Sequence, residues 1–234
     1  MRFLLASLVI LLTTACGMAE SRHIDNEPAQ ASGSAAEVGG ASLAFHSTKG
    51  WANGVSLYLA DAAPERLVEA MNHAIDAWND AVGHNVITYR GRVGAARTAS
   101  LYETLDDDQT VAYYEKAWTS TTGKASTTLA TTIWENDPRD QESIVKGDII
   151  LNAQSYLFQD STLAAVEDDS LNEIVDAETV LIHEIGHLLG LDHVKPQEDP
   201  DSVMHSHTFI GADMHKRELS AGDRENIQSI YGNR

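Results

Sequence analysis

Cysteine is almost absent from this sequence, since Cys16 is the only one among 234 residues. A single thiol cannot form a disulfide within the chain, so the folded part must be stabilised by packing and by any metal that it binds. Long apolar runs are missing too: the run at residues 3–12 falls short of the roughly 20 residues that a membrane-spanning helix needs. The sequence therefore excludes a disulfide framework and a span formed by this run.

Positive charge is also scarce, because 16 Lys and Arg residues stand against 35 Asp and Glu residues, which gives a net charge of −19. Nucleic acids and anionic membrane surfaces are poor electrostatic partners for such a chain, so we predict no nucleic-acid partner. The acidity suits solubility, calcium binding or cationic substrates, and charge alone does not choose among them. With 43% hydrophobic residues, the chain can bury one good-sized core.

The N-terminal segment, residues 1–16, combines a positive start, an apolar run and small residues before Cys16, which is the pattern of an export signal. It resembles a bacterial lipobox, in which Cys16 would be acylated, although Thr13 stands where leucine is usual. We therefore predict an exported protein whose N-terminal lipid anchors it to the bacterial outer membrane or cell surface. The alternative is a secreted protein that is cleaved after Ala19.

Residues 17–45 are rich in Ala, Ser, Gly and Glu and show no sustained apolar period, so we predict a flexible tether. Periodic apolar segments follow, and they indicate one domain at residues 46–234. The predicted elements are strands at 55–60, 85–90, 111–118, 127–134 and 147–153, and helices at 64–83, 176–190 and from 220 onward.

The most informative stretch, at residues 176–193, reads D-A-E-T-V-L-I-H-E-I-G-H-L-L-G-L-D-H. His183 and His187 are four residues apart, so on a helix they lie one turn apart on the same face. Two imidazoles so placed can bind one zinc ion, and Glu184 between them can reach a water molecule that the metal activates. An amphipathic helix that carries two histidines by chance is the alternative, because a pattern of five residues recurs by chance.

Two more residues, Gly190 and His193, make that alternative a minor one. Gly190 can end the helix in the left-handed conformation, and the chain can then turn back and bring His193 round as a third nitrogen ligand. Three histidines, an open fourth position and an adjacent carboxylate are the layout of a hydrolytic zinc site.

The extended pattern H-E-x-x-H-x-x-G-x-x-H, followed by S-V-M, resembles the metzincin zinc peptidases and within them the matrixin (matrix-metalloprotease-like, M10) family. This resemblance implies that His183, His187 and His193 bind zinc and that Glu184 is the general base. It also implies that Met204 forms an apolar floor beneath the metal without binding it.

The resemblance extends to the strand at 127–134, where Leu129 and Ala130 match the matrixin edge strand that holds peptide substrate. It implies that substrate adds to this sheet edge through main-chain hydrogen bonds. Thr131 and Ile150 stand where animal matrixins carry histidines for a structural zinc, so we predict only the catalytic zinc. Three carboxylates at 106–108 predict a solvated loop, with a calcium site as the alternative.

The C-terminal run L-S-A-G-D-R-E-N-I-Q-S-I-Y-G resembles the last matrixin helix, so the resemblance covers residues 50–232. It implies an α/β fold with a twisted, mostly parallel sheet, an antiparallel edge strand, a long active-site helix and a C-terminal helix. The predicted function is a zinc-dependent endopeptidase that hydrolyses peptide bonds of proteins or peptides. The alternatives are a non-catalytic zinc-binding surface lipoprotein, such as an adhesion or interaction module, and a deacetylase-like or other zinc hydrolase.

Overall fold

The computed structural model describes residues 20–21, 49–94, 105, 108–163 and 174–233. Cys16, most of the predicted tether, and Asp106 and Asp107 lie outside these ranges, so the lipid anchor and the calcium site stay predictions. Among the described residues, none of the helices combines the length and the apolar character that crossing a membrane requires.

Strands make up most of the described elements, and four helices lie among and after them. The strands are β1 (Glu20–Ser21), β2 (Gly50–Trp51), β3 (Val55–Ala60), β4 (Ile87–Val93), β5 (Thr110–Glu115), β6 (Ala130–Asp137), β7 (Asp140–Asn152), β8 (Leu157–Gln159) and β9 (Ile174–Asp176). The helices are α1 (Leu67–Val82), α2 (Trp118–Thr122), α3 (Ala177–Leu188) and α4 (Ala221–Tyr231), with a 3-10 turn at Ser161–Leu163.

Within the described residues, seven strands form one sheet in the order β1-β6-β7-β5-β3-β4, and β2 also pairs with β7. The β3/β4, β3/β5 and β5/β7 pairs are parallel, whereas β6 runs antiparallel to β7. The predicted fold class, a mostly parallel sheet with an antiparallel strand at its edge, is therefore confirmed. Thr131 and Ile150 lie directly opposite each other in the β6/β7 pair, and both side chains are buried.

The polar stretch that separates the two predicted strands at 127–134 and 147–153 is not a loop. β6 and β7 continue through it as a hairpin that turns between Asp137 and Asp140, and β7 is 13 residues long. Gln141, Glu142 and Val145 in this extension are exposed, so backbone pairing rather than burial holds it together. Of residues 135–146 only Ile144 is buried, so the extension shows no sustained apolar alternation, which is why its sequence resembles a loop.

Helix α1, which the sequence predicts at 64–83, packs behind the sheet through an apolar stripe along one face. Five residues of this stripe, three or four positions apart, are buried: Leu67, Met71, Ile75, Trp78 and Val82. The Trp78 indole N–H donates a hydrogen bond of 2.9 Å to the Ile182 carbonyl, which ties α1 to the middle of α3. This contact fixes the position of the helix that carries the histidine motif.

Candidate metal centre

Helix α3 begins where the sequence predicts. Asp176 caps it by accepting hydrogen bonds from the backbone N–H of Thr179, at 3.0 Å, and from its hydroxyl, at 2.8 Å. The helix ends at Leu188, and Gly190 follows with a φ of 103°, the left-handed conformation that only glycine adopts without strain. The chain then turns back toward the helix, because Leu191 N–H donates to the Gly186 carbonyl at 3.0 Å.

The cap is itself held by a partly buried ion pair with Arg217, whose guanidinium contacts both oxygens of Asp176 and reaches Asp160 at 2.6 Å. Burial alone would raise the pKa of Asp176, but hydrogen bonds from Arg217, Ser161 and Thr179 outweigh it and lower the pKa to about 2. An unfolded aspartate has a pKa of about 3.9. The carboxylate therefore stabilises the fold fully above that value and loses this effect as the pH falls through about 2.

The structure brings together the three histidines of the motif. His183 and His187 face each other from successive turns of α3, and His193 closes the group from the returning chain. One ring nitrogen from each lies within 4.8 Å of the other two, and the ring centroids are 4.6 to 5.3 Å apart. His183 and His187 are almost fully buried and His193 is partly so.

Backbone carbonyls fix the orientation of two of the rings. Nδ1 of His183 lies 2.8 Å from the Val203 carbonyl, and Nδ1 of His187 lies 2.7 Å from the Leu191 carbonyl. A carbonyl oxygen only accepts hydrogen bonds, so each Nδ1 carries the hydrogen. Each Nε2 therefore keeps a lone pair that can bind an ion. Such backbone partners are typical of histidines that bind a metal through the other nitrogen.

The arrangement fits a cation. The Nε2 atoms of His183 and His187 are 3.0 Å apart, yet neither carries a hydrogen to share. Among the described residues, the buried Nε2 of His193 has no hydrogen-bond partner either. Two lone pairs that face each other without a donor, beside a third unpartnered ring nitrogen, are unfavourable until a positive ion lies between them. Imidazole nitrogens in this number are the protein ligands of a catalytic zinc site.

The histidines are also in the protonation state that a metal requires. Burial lowers the pKa of His183 to about 3 and that of His187 well below its ordinary value, and the neighbouring histidines add to both shifts. Burial, followed by the nearby His207, lowers the pKa of His193. All three rings are therefore neutral near pH 7, so their lone pairs are free to bind a metal ion.

Met204 is buried against the histidine helix at Gly186. It is 1% exposed, and a Cβ at Gly186 would come within 2.4 Å of its sulfur atom, so only glycine allows this close approach. Asp223, at the start of α4, accepts hydrogen bonds from Ser202 Oγ at 2.5 Å and from Val203 N at 2.9 Å. The same turn presents the Val203 carbonyl to His183, so α4 supports the metal centre.

Glu184 lies on α3 between the first two histidines and is completely buried. Its Oε2 atom is 2.6 Å from the hydroxyl of Thr132 on β6, and its backbone carbonyl is 3.0 Å from the same hydroxyl. The sequence pattern gives no sign of this contact. Thr132 lies 52 residues away along the chain, and no local periodicity joins a strand residue to a helix residue at that separation.

A small pocket opens beside His183. Leu129 contributes to it from the segment before β6, whereas Ala130 begins β6 and is buried opposite Leu151. His205 and His207 line the pocket but lie outside the histidine cluster, and His205 Nε2 donates to the Asp199 carbonyl at 2.7 Å. The other residues that line it are Thr179, Val180, Val203, Thr208 and Lys216.

A mostly parallel sheet with an antiparallel edge strand, backed by a helix that presents two histidines to a third, defines a metzincin-like domain. The matrixin family model matches residues 55–232, which include every strand from β3 onward, all four helices and the three histidines. The chain belongs to the matrixin family.

Curated relatives match over shorter stretches. Matrilysin of Felis catus is 47% identical over 55 residues, which are 24% of this chain and 20% of the relative. Metalloendoproteinase 5-MMP of Arabidopsis thaliana is 46% identical over 59 residues, which are 25% of this chain and 15% of the relative. The chain thus spans a fifth or less of the length of these relatives.

Solved structures resemble the chain only weakly. Myroilysin covers 80% of this chain, and 83% of its own, with 12% identity and a TM-score of 0.39. Archaemetzincin from Methanopyrus kandleri covers 76% of this chain, and 96% of its own, with 14% identity and the same TM-score. Similarity this low adds nothing about activity.

Proposed function

We propose that this protein is a zinc-dependent endopeptidase in which Glu184 is the general base. The observation that carries the proposal is the convergence of three neutral imidazoles beside a buried carboxylate, with the donor-free Nε2 atoms of two of them facing each other. His183, His187 and His193 would hold the metal. Bound zinc would supply a Lewis acid that lowers the pKa of a water molecule to about 7 and polarises the scissile carbonyl.

The side chains around the metal have the remaining roles in hydrolysis. Glu184 takes a proton from the attacking water and delivers it to the leaving amine, which a metal-bound histidine cannot do. A pure zinc-binding module would not need this carboxylate, because three imidazoles already fill the protein's side of a tetrahedral site. Met204 excludes water from beneath the histidines through its packing against Gly186.

The edge of the sheet offers a place for an extended peptide. In the described part of the chain, β1 pairs with the outer edge of β6 only at Ile133 and Trp134, so the start of β6 carries no strand on that side. A peptide can therefore add there through main-chain hydrogen bonds, beginning at Leu129 and Ala130. The pocket next to His183 would then receive the side chain that follows the scissile bond.

Cleavage of a broad peptide library by the zinc-loaded full chain tests this function. We expect internal bonds to be cut, the cutting to stop when a zinc chelator is added, and stoichiometric zinc to restore it. Mass spectrometry of the products identifies the bonds, and elemental analysis of the same sample measures the metal. Cleavage that continues in the chelated, metal-free protein would contradict the proposal.

The N-terminal anchor is a separate proposal, motivated by the apolar run before Cys16. We expect the full chain to incorporate labelled palmitate in a bacterial host and Cys16→Ser to lose the label and move to the soluble fraction. Ala19→Leu serves as the control, because a bulky residue blocks an ordinary secretory cleavage site. If Ala19→Leu prevents processing while Cys16→Ser does not, the protein is secreted rather than anchored.

A further inference from the structure

Thr132 lies on β6 in the part of the strand that is covered by α3. Side chains alternate along β6: Ala130 and Trp134 belong to the main core, whereas Ile133 packs in the smaller cluster on the opposite face. Thr132 shares the face of Ala130 and Trp134, and its side chain is fully buried. A hydroxyl there needs a partner, because a buried polar group without one is costly.

That partner is Glu184. The hydroxyl of Thr132 has one hydrogen and two oxygen neighbours: Oε2 of Glu184 at 2.6 Å and the Glu184 backbone carbonyl at 3.0 Å. The shorter distance lies in the range of a charge-assisted O–H···O⁻ bond, so the hydroxyl donates to the carboxylate. The strand thereby holds one oxygen at the end of the buried Glu184 side chain.

We infer that Thr132 is a positioning residue for the general base, an inference that rests on the proposed peptidase function. A general base must keep its oxygen within hydrogen-bond distance of the water proton that it abstracts. The bond to Thr132 fixes one oxygen of Glu184, which sets the direction of the other. Because β6 also offers its edge to the peptide, the same strand aligns the base with the substrate.

The neighbouring residue provides a matched control. Thr131 has the same side chain and is also fully buried, but it lies on the opposite face of β6. Its hydroxyl has no hydrogen-bond partner among the described residues. Thr131→Val therefore removes a buried hydroxyl from the same strand without touching Glu184.

Kinetics of the full chain on the fastest-cut peptide of the library provide the first test. We expect Thr132→Val, which keeps the shape of the side chain, to lower kcat about 10- to 100-fold. KM and zinc content should change little, because the Thr132 side chain is bonded to Glu184 and faces neither the peptide edge nor the metal ligands, and the substitution leaves the main chain unchanged. Thr132→Ser restores the hydroxyl and should recover most of the lost kcat, and Thr131→Val should match wild type. Wild-type kcat in Thr132→Val, or no recovery in Thr132→Ser, would overturn the inference.

Crystal structures of zinc-loaded wild type and Thr132→Val provide a test that does not depend on activity. The carboxylate of Glu184 should move from its wild-type position in the variant, while β6 and the three histidines stay in place. An unmoved carboxylate would overturn the inference even if wild type cleaves peptides. A displaced carboxylate would support it even if no library peptide is cut, a result that would count against the peptidase function alone.

Discussion

Replacing His187 with alanine is expected to reduce the zinc content of the purified protein from about one ion per chain to near zero. The imidazole of His187 lies in the middle of the cluster, 1% exposed, with its Nδ1 held by the Leu191 carbonyl. Its loss leaves only two nitrogen atoms that can bind the metal, and a cavity in place of the ring. Removing a residue that only hydrogen-bonds to a metal ligand typically lowers the affinity for the metal about 10- to 100-fold. Losing the ligand itself should lower that affinity more.

Elemental analysis of wild type and His187→Ala, purified side by side, measures this directly. Zinc that binds only the folded state also raises Tm. Added zinc should therefore raise the Tm of wild type that has been stripped of its metal, and should leave the Tm of the variant unchanged. His84→Ala is the control, because His84 is exposed in the turn after α1 and lies outside the cluster. Unchanged zinc in His187→Ala would mean that the metal binds elsewhere.

The helices could be predicted from the sequence because their signals are local. Asp176 caps α3 as expected, Gly190 has the left-handed conformation, and the Ser220–Asp223 capping box starts α4 with both of its hydrogen bonds. Each of these signals involves a single residue or residues three positions apart. His183, His187 and His193 also lie within one short stretch, residues 183–193, so their proximity could be predicted too.

The strands were harder to predict, and the contacts that hold the site residues in place were not predicted at all. The hairpin extension of β7 is exposed, so it lacks the alternation that marks a strand, and Trp118 begins the short helix α2 instead of ending a strand. Asp223, which caps α4, also holds the turn before Met204, and Thr132 contacts Glu184 from a distant strand. Contacts between distant segments depend on the order of the strands, which a single sequence does not reveal.

Glu184→Gln is expected to keep the fold and the zinc but to slow peptide hydrolysis by about 10²–10⁴-fold or more. Glutamine has the shape of glutamate, and its amide oxygen can still accept the hydrogen bond from Thr132 that the carboxylate accepts at 2.6 Å. The three histidine ligands are untouched, so metal binding should persist. The amide, however, cannot take a proton from water, so the chemical step loses its base.

The measurement is kcat/KM on the same peptide for wild type and Glu184→Gln, at equal zinc content and with Tm values within error of each other. Glu178→Gln is the matched control, because Glu178 lies in the first turn of the same helix and faces Arg217, 3.7 Å away, instead of the histidines. That variant should retain activity. Equal rates for wild type and Glu184→Gln would assign the hydrolysis to another site or to a contaminant. If zinc-loaded wild type cuts no peptide, Glu184 does not act as a general base. The three histidines then belong to a zinc-binding surface module.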